Sequence, residues 1–282
     1  MNAISFTSIE PLKASKFFLL AIAAGLIAIH LNITWKLDNS DLWVASIMFW
    51  AAVCSLVWKK RHTLTLQSGL FSTFLGTLII AFVLLKSTSP GPSFLYTSPL
   101  ISAIGISLLA SGFKGLKQYR SELLVLFFLG VPHATIYWLI NLSELTAKFA
   151  AFVLWYLGIE VSRTGVNIIF PAGGLEVYQG CSGMKNILEL WGLAVLLLVI
   201  FPTDWRKKII LPVVAILIGF LVNGLRVVVM GVLVASSNQT GFEYWHIGDG
   251  SMIFSMISVM IFGLFCFVVL GLDQKTENPD SI

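Results

Sequence analysis

Three polar side chains in this apolar chain have the types needed to do chemistry together: Cys181, Arg226 and His246. A thiol, a permanent cation and an imidazole are the parts of a nucleophilic site. A base takes the thiol proton and a positive charge steadies the anion that forms. Cys181 lies in Val177-Tyr178-Gln179-Gly180-Cys181-Ser182-Gly183-Met184-Lys185-Asn186, where a polar, Gly-rich loop meets a long apolar run. If that run is a helix, its start offers unpaired N–H groups and the positive end of a dipole, and both favour thiolate over thiol. Arg226 falls two to three turns inside another apolar run, in Asn223-Gly224-Leu225-Arg226, where a charge is costly unless it faces a partner. His246 precedes a third run.

Each residue also has a plainer reading. Cys181 reads as a small loop residue, Arg226 as an arginine snorkelling to the interface, and His246 as an interfacial histidine beside Trp245. His133, next to Pro132, reads as a kink-associated polar residue, and His30 and His62 as incidental. Cys54 and Cys266 lie within apolar runs and read as small packing residues, which leaves no disulfide framework. No metal site is expected. The pair His246 and Asp249 is too few ligands, Asp249 reads equally as a helix cap, and no His-x-x-x-His or Cys-x-x-Cys spacing occurs. No phosphate-cradling loop and no cofactor are expected.

The elements that must position these residues are membrane helices. The chain has 282 residues, 57% hydrophobic and only 11% charged, against about 25% charged in soluble domains. We expect an all-α polytopic membrane protein forming one domain over residues 1–282. Eight apolar stretches are long enough to span: 17–35, 42–58, 69–85, 94–113, 123–140, 186–201, 209–236 and 251–272. The first follows Lys13 and Lys16 like a signal peptide, but it is too long and is read as an uncleaved span. With eight crossings Lys13, Lys16, Lys59, Lys60, Arg61, Lys114, Lys117, Arg120, Arg206, Lys207, Lys208 and Lys275 fall on one side. The positive-inside rule then makes both termini cytoplasmic. Cys181, Arg226 and His246 share the opposite, extracytoplasmic face, and the +4 net charge carries no implication of nucleic acid. An outer-face loop region separates spans five and six. It is expected to hold a short amphipathic helix over 147–157, capped by Ser143 and lying at the interface, and then short strands or a hairpin over 158–180. A polar cytoplasmic tail, 273–282, is expected to be disordered.

These motifs resemble the exosortase/archaeosortase family of multi-span cysteine peptidases. The approach Gly158-Ile159-Glu160-Val161, Gly165, Ile168, Pro171, Gly174 and Val177 to Cys181-Ser182-Gly183 is similar to that family's nucleophile region. Asn223-x-x-Arg226 resembles its second motif and Trp245-His246 with Gly248 its third, in the bacterial exosortase version. The motif-bearing part covers about 158–250. Gly180-Cys181 and the Trp-His pair are similar to the cyanobacterial branch. Two positions depart from the family pattern: Met184-Lys185, where many relatives carry arginine, and Ile247, where an acidic residue often stands. The resemblance implies a thiol protease of the inner or plasma membrane. Its substrates would be secreted proteins with a C-terminal sorting signal: a Pro-Glu-Pro-like (PEP-CTERM-like) motif, a transmembrane helix and a basic cluster. A lipid or glycan would be the acceptor.

On this reading Cys181 is the nucleophile and His246 the general base. Arg226 stabilises the thiolate or the oxyanion, and Asn223 holds Arg226 or adds a hydrogen bond. Ser182 and Gly183 supply backbone N–H groups for an oxyanion hole. Two alternatives stay open. Gly180-x-Ser182-Gly183 also resembles the rhomboid serine-protease motif, with Ser182 as nucleophile and His246 as base. The chain could instead be a non-catalytic transporter or scaffold with Arg226 as a structural charge.

Overall fold

The computed structural model describes residues 11–246 and 250–271. Asp249 and the polar tail at 273–282 lie outside the described residues. The chain divides into two compact units, 1–134 and 135–282.

The first unit holds α1 (Pro11–Lys36), α2 (Ser40–Lys59), α3 (Leu70–Lys86), α4 (Pro92–Gly115), a 3₁₀ turn (Leu116–Tyr119) and most of α5 (Arg120–Leu139). Local signals start these helices where the sequence changes character. Asn39 Oδ1 accepts the Leu42 N–H at 3.3 Å ahead of α2, and Pro92 opens α4, where its missing N–H costs nothing. His30 is buried, with Nδ1 3.1 Å from Ser98 Oγ and Nε2 2.9 Å from Ser46 Oγ. It therefore ties α1 to α2 and α4 and is not incidental. Cys54 is exposed on α2, so it is not the packing residue its apolar surroundings suggested.

The second unit holds α6 (Ser143–Tyr156), β1 (Ser162–Thr164), β2 (Asn167–Phe170), β3 (Gly173–Glu176), a 3₁₀ turn (Gln179–Cys181), α7 (Met184–Ile200), α8 (Trp205–Ala235), α9 (Gln239–His246) and α10 (Gly250–Gly271). The strands form an antiparallel sheet in the order β1-β2-β3, with Thr164 opposite Asn167 and Phe170 opposite Gly173. The Val/Ile alternation of 158–180 resolves as two tight hairpins. Ile168, Phe170 and Leu175 turn inward onto Ala147, Ala150 and Leu154 of α6 and Val227, Val228 and Met230 of α8. The short helix after α5 starts earlier than expected, and Ser143 does not cap it. Ser143 is the first helical residue; its own N–H is accepted by Asn141 Oδ1 at 2.9 Å, and its hydroxyl is buried without a partner.

The long helix α8 organises this unit, touching α6, α7, α9, α10, β2 and β3. Its glycines let neighbours approach: a Cβ on Gly219 would meet Ile187 Cα of α7 at 2.9 Å, and one on Gly224 would strike the Phe149 ring of α6. Such small-residue contacts are how helices pack when lipid removes the hydrophobic drive between them. Asn186 of α7 donates to the Gly219 carbonyl at 3.1 Å and accepts from Ser258 of α10 at 2.9 Å, joining three helices. Cys266 is buried between α7, α8 and α10, the packing role its setting suggested.

Over its described residues each of the eight apolar stretches coincides with a helix, to within one residue at its ends. Among the described residues, five helical stretches are long and apolar enough to cross a membrane: Lys16–Lys36, Ser40–Lys59, Pro92–Leu139, Trp205–Ala235 and Gly250–Gly271. The expected count of eight is not reproduced by this measure, for two reasons. Residues 92–139 run as a single 48-residue helical stretch that includes both α4 and α5. Helices α3 and α7 are 17 residues each, short for a straight crossing.

Candidate active site

The nucleophile candidate sits on a turn fixed from several directions. The Cys181 N–H is accepted by the Tyr178 carbonyl at 2.9 Å and the Ser182 N–H by the Gln179 carbonyl at 3.2 Å. Gly183 follows in the left-handed conformation at φ 85°, with Asn223 so close that a Cβ would meet its Nδ2 at 2.8 Å. Only glycine meets both conditions. Helix α7 begins at Met184, so Cys181 stands three residues ahead of it, in the 3₁₀ turn rather than at the cap.

Side chains from surrounding elements hold this turn by its carbonyl groups. Asn223 Nδ2 donates to the Cys181 carbonyl at 2.8 Å, and the Thr146 hydroxyl of α6 donates to the Ser182 carbonyl at 2.8 Å. Gln179 Nε2 donates to the carbonyls of Tyr137 and Ile140 at 2.6 and 3.2 Å, at the end of α5. Ser182 is fully buried; its hydroxyl donates to the Gln179 carbonyl at 2.7 Å and accepts the Met184 N–H at 3.3 Å. Of the two amides expected to form an oxyanion hole, that of Ser182 is therefore already engaged, and Gly183 is the remaining candidate. Asn223 holds the nucleophile's backbone, not Arg226.

Arg226 reaches the other side of the site. Its Nε donates to the Trp245 carbonyl at 3.1 Å and its Nη2 to the His246 carbonyl at 2.7 Å. These are terminal carbonyls of α9, groups left without helical partners and carrying the negative end of the helix dipole. His246 thus lies at the end of a short helix clamped by Arg226, and not in an open loop. Its Nε2 is 3.3 Å from the Tyr178 hydroxyl, the two rings edge to face with centroids 5.8 Å apart. The Tyr178 side chain also acts on the Cys181 thiol, favouring its thiolate. Phe242 packs on the imidazole with centroids 5.0 Å apart.

Burial pushes the Cys181 thiol above its ordinary range, while the Arg226 charge and the Tyr178 hydrogen bond pull the other way. Burial, and then the Arg226 charge, hold His246 below the ordinary imidazole value. Tyr178 is raised, by burial first and then by Cys181. The resting pair is therefore neutral thiol and neutral imidazole. The expected thiolate-favouring helix start is not realised, because the thiol is 2% exposed and sits ahead of the helix.

The structure gathers Cys181, Arg226 and His246, with Asn223, Ser182 and Gly183, into one site within the second unit. Among the described residues no hydrogen bond joins Cys181 and His246; the hydroxyl 3.3 Å from His246 Nε2 is that of Tyr178. Sequence reasoning gave Tyr178 no role. Its available signal was spacing: three residues before a candidate nucleophile, across a glycine, a 3₁₀ turn stacks the two side chains. Among the described residues no group of three or more His, Cys, Asp and Glu is arranged for a metal ion.

Residues 37–263 of the chain match the family model described as transmembrane exosortase (EpsH). The match assigns the family, not a branch within it. Neither a curated protein nor a solved structure matches the chain.

Proposed function

The chain belongs to the transmembrane exosortase family, a family of multi-pass membrane proteins generally acting as transpeptidase-like enzymes, and from that premise we propose that it cleaves a C-terminal sorting signal from secreted proteins through a Cys181 acyl-enzyme. Its substrates carry a Pro-Glu-Pro-like motif followed by a transmembrane helix and a basic cluster. The observation that carries this reading is the arrangement of the thiol. Cys181 is buried and pinned through its own carbonyl by Asn223, and Tyr178, three residues before it, meets the imidazole of His246, whose backbone carbonyl Arg226 holds.

His246 receives the Cys181 proton, and the thiolate attacks the scissile carbonyl. The oxyanion forms in the field of Arg226, with the Gly183 amide as donor; such preorganised charge contributes about 3–4 kcal/mol in comparable sites. The imidazolium then protonates the leaving amine, and a thioester remains on Cys181 for water or for an acceptor nucleophile, a lipid or a glycan. The distribution of basic residues supports eight crossings, both termini in the cytoplasm and the site at the extracytoplasmic face. The single domain spans 1–282, its motifs at 158–250, with 273–282 as a polar tail.

Ser182 is poorly disposed as a nucleophile, since its hydroxyl serves the turn and the start of α7. The test is processing of a tagged secreted reporter with a Pro-Glu-Pro-type C-terminal signal, co-expressed with wild type, Cys181→Ala or Ser182→Ala at matched membrane levels. Wild type is expected to trim it, Cys181→Ala to leave it intact, and Ser182→Ala to retain cleavage. Trimming by Cys181→Ala overturns the thiol reading. Absence of trimming by wild type overturns this substrate class.

A further inference from the structure

We propose that Tyr178 is a catalytic residue whose hydroxyl carries the proton between the Cys181 thiol and His246. The proposal rests on the cysteine-peptidase reading above and adds to it a group that no sequence motif marks.

Three observations converge on this side chain. Its hydroxyl is 3.3 Å from His246 Nε2 and its side chain acts on the Cys181 thiol to favour the thiolate, whereas no hydrogen bond joins Cys181 and His246 directly among the described residues. The Cys181 N–H to Tyr178 carbonyl bond, at 2.9 Å, ties the two residues together through the backbone. Gly180 makes room for the ring: a Cβ there would stand 2.6 Å from Tyr178 Cε2 and 3.2 Å from Cζ. A side chain on residue 180 would therefore push the ring off its place without touching the hydroxyl's chemistry.

The step balances. The Cys181 S–H bond breaks as an O–H bond forms on Tyr178. The original phenolic O–H bond breaks as an N–H bond forms on His246 Nε2, with Nδ1 already protonated. Thiolate, neutral tyrosine and imidazolium result, and the new hydroxyl donates to the thiolate. The phenol stays neutral at both ends of the step, consistent with the burial that raises it. The charged and titratable groups facing it are Cys181, Arg226, Tyr137 and His246. Return of the proton by the same route serves the leaving amine.

The full-length protein in detergent is treated with iodoacetamide across pH. Mass spectrometry of the Cys181 peptide separates its reaction from those of Cys54 and Cys266. Tyr178→Phe, which keeps the ring, is expected to slow Cys181 alkylation at neutral pH by about a hundredfold, the lower end of general acid–base effects. Gly180→Ala changes the rate in the same direction with the hydroxyl retained. His246→Ala slows alkylation too, and the double variant Tyr178→Phe/His246→Ala is no slower than the worse single one, because residues acting as one unit are not additive. Alkylation of Tyr178→Phe at the wild-type rate, or independent multiplying effects of the two substitutions, overturns the relay. Reporter processing separates the two claims. If wild type trims nothing while the alkylation cycle behaves as stated, the substrate reading falls and the relay stands. If Tyr178→Phe trims and alkylates like wild type, the relay falls and the peptidase reading stands.

Discussion

His30 in the first unit and Arg226 in the second are both polar groups on apolar helices, yet they spend their hydrogen bonds differently. His30 bonds two serine hydroxyls, Ser46 and Ser98. Nearby in the chain, Lys60 pairs with the buried Glu122 carboxylate at 2.7 Å and also donates to the Gln118 carbonyl, and Ser111 bonds the Tyr119 hydroxyl at 3.0 Å. These particular side chains satisfy one another and tie helices together, although Ser111 also donates to the Thr65 carbonyl at 2.7 Å and Ser68 to the Leu108 carbonyl at 2.8 Å. Around Cys181, the side chains of Asn223, Thr146, Gln179 and Arg226 bond backbone carbonyls instead. This fixes two chain segments while leaving thiol, phenol and imidazole to interact among themselves. Burial of polar groups alone therefore does not mark a site; what they hold does.

The contrast can be broken most sharply at Arg226. Arg226→Lys keeps the charge but cannot fork to the Trp245 and His246 carbonyls, and is expected to lower reporter cleavage by about a hundredfold, in the range of a lost transition-state donor. Full activity in that variant would show that only charge matters there. Lys60→Met is the counterpart in the first unit. It leaves Glu122 buried without its cation, and is expected to destabilise the protein by about 3 kcal/mol with cleavage per folded molecule unchanged, read from thermal melts in detergent beside the reporter. Loss of cleavage beyond loss of fold would erase the distinction between the units. His30→Leu should cost about 1–2 kcal/mol by stranding the Ser46 hydroxyl and leaving Ser98 its 3.3 Å bond to the Leu95 carbonyl, again without altering the reaction of Cys181 with iodoacetamide.

The smallest effect is on pH. His246 must be unprotonated to accept a proton, and its value lies below the ordinary 6.5. Single-turnover acylation should therefore rise with pH through an inflection below 6.5. It should then stay level through neutrality, where Cys181, raised above its ordinary value, is still a thiol. An acidic limb at or above 6.5 would contradict the neutral pair.

Much of this was legible in the sequence, and the parts that were not share a cause. The apolar runs mark each membrane helix because lipid imposes one requirement along the whole stretch. The three polar residues and the strands of 162–176 stood out against that background. Helix periodicity and charge say nothing about the partner of an amide, so the sequence leaves Asn223 either to hold Arg226 or to add a hydrogen bond, and does not single out the Cys181 carbonyl it holds. Ser143 looked like a cap by residue type, but Asn141 two residues earlier has the reach. His30 looked incidental because its partners, Ser46 and Ser98, are distant in sequence and unremarkable in type. Tyr178 is hidden because an aromatic residue beside an apolar strand is ordinary; only the 3₁₀ turn and the bare Gly180 give its ring a place from which the hydroxyl meets His246.

One turn of α8 does two jobs, since Asn223 grips the Cys181 carbonyl and Arg226 grips the end of α9. The spacing of the Cys181 and His246 segments is consequently gauged by helical pitch and not by the length of any connection. Extra residues in the link between α8 and α9, or in the hairpins before Cys181, would leave that gauge intact. A single residue inserted between Asn223 and Arg226 would rotate one grip away from the other by about 100°, and the two halves of the site would lose their common ruler.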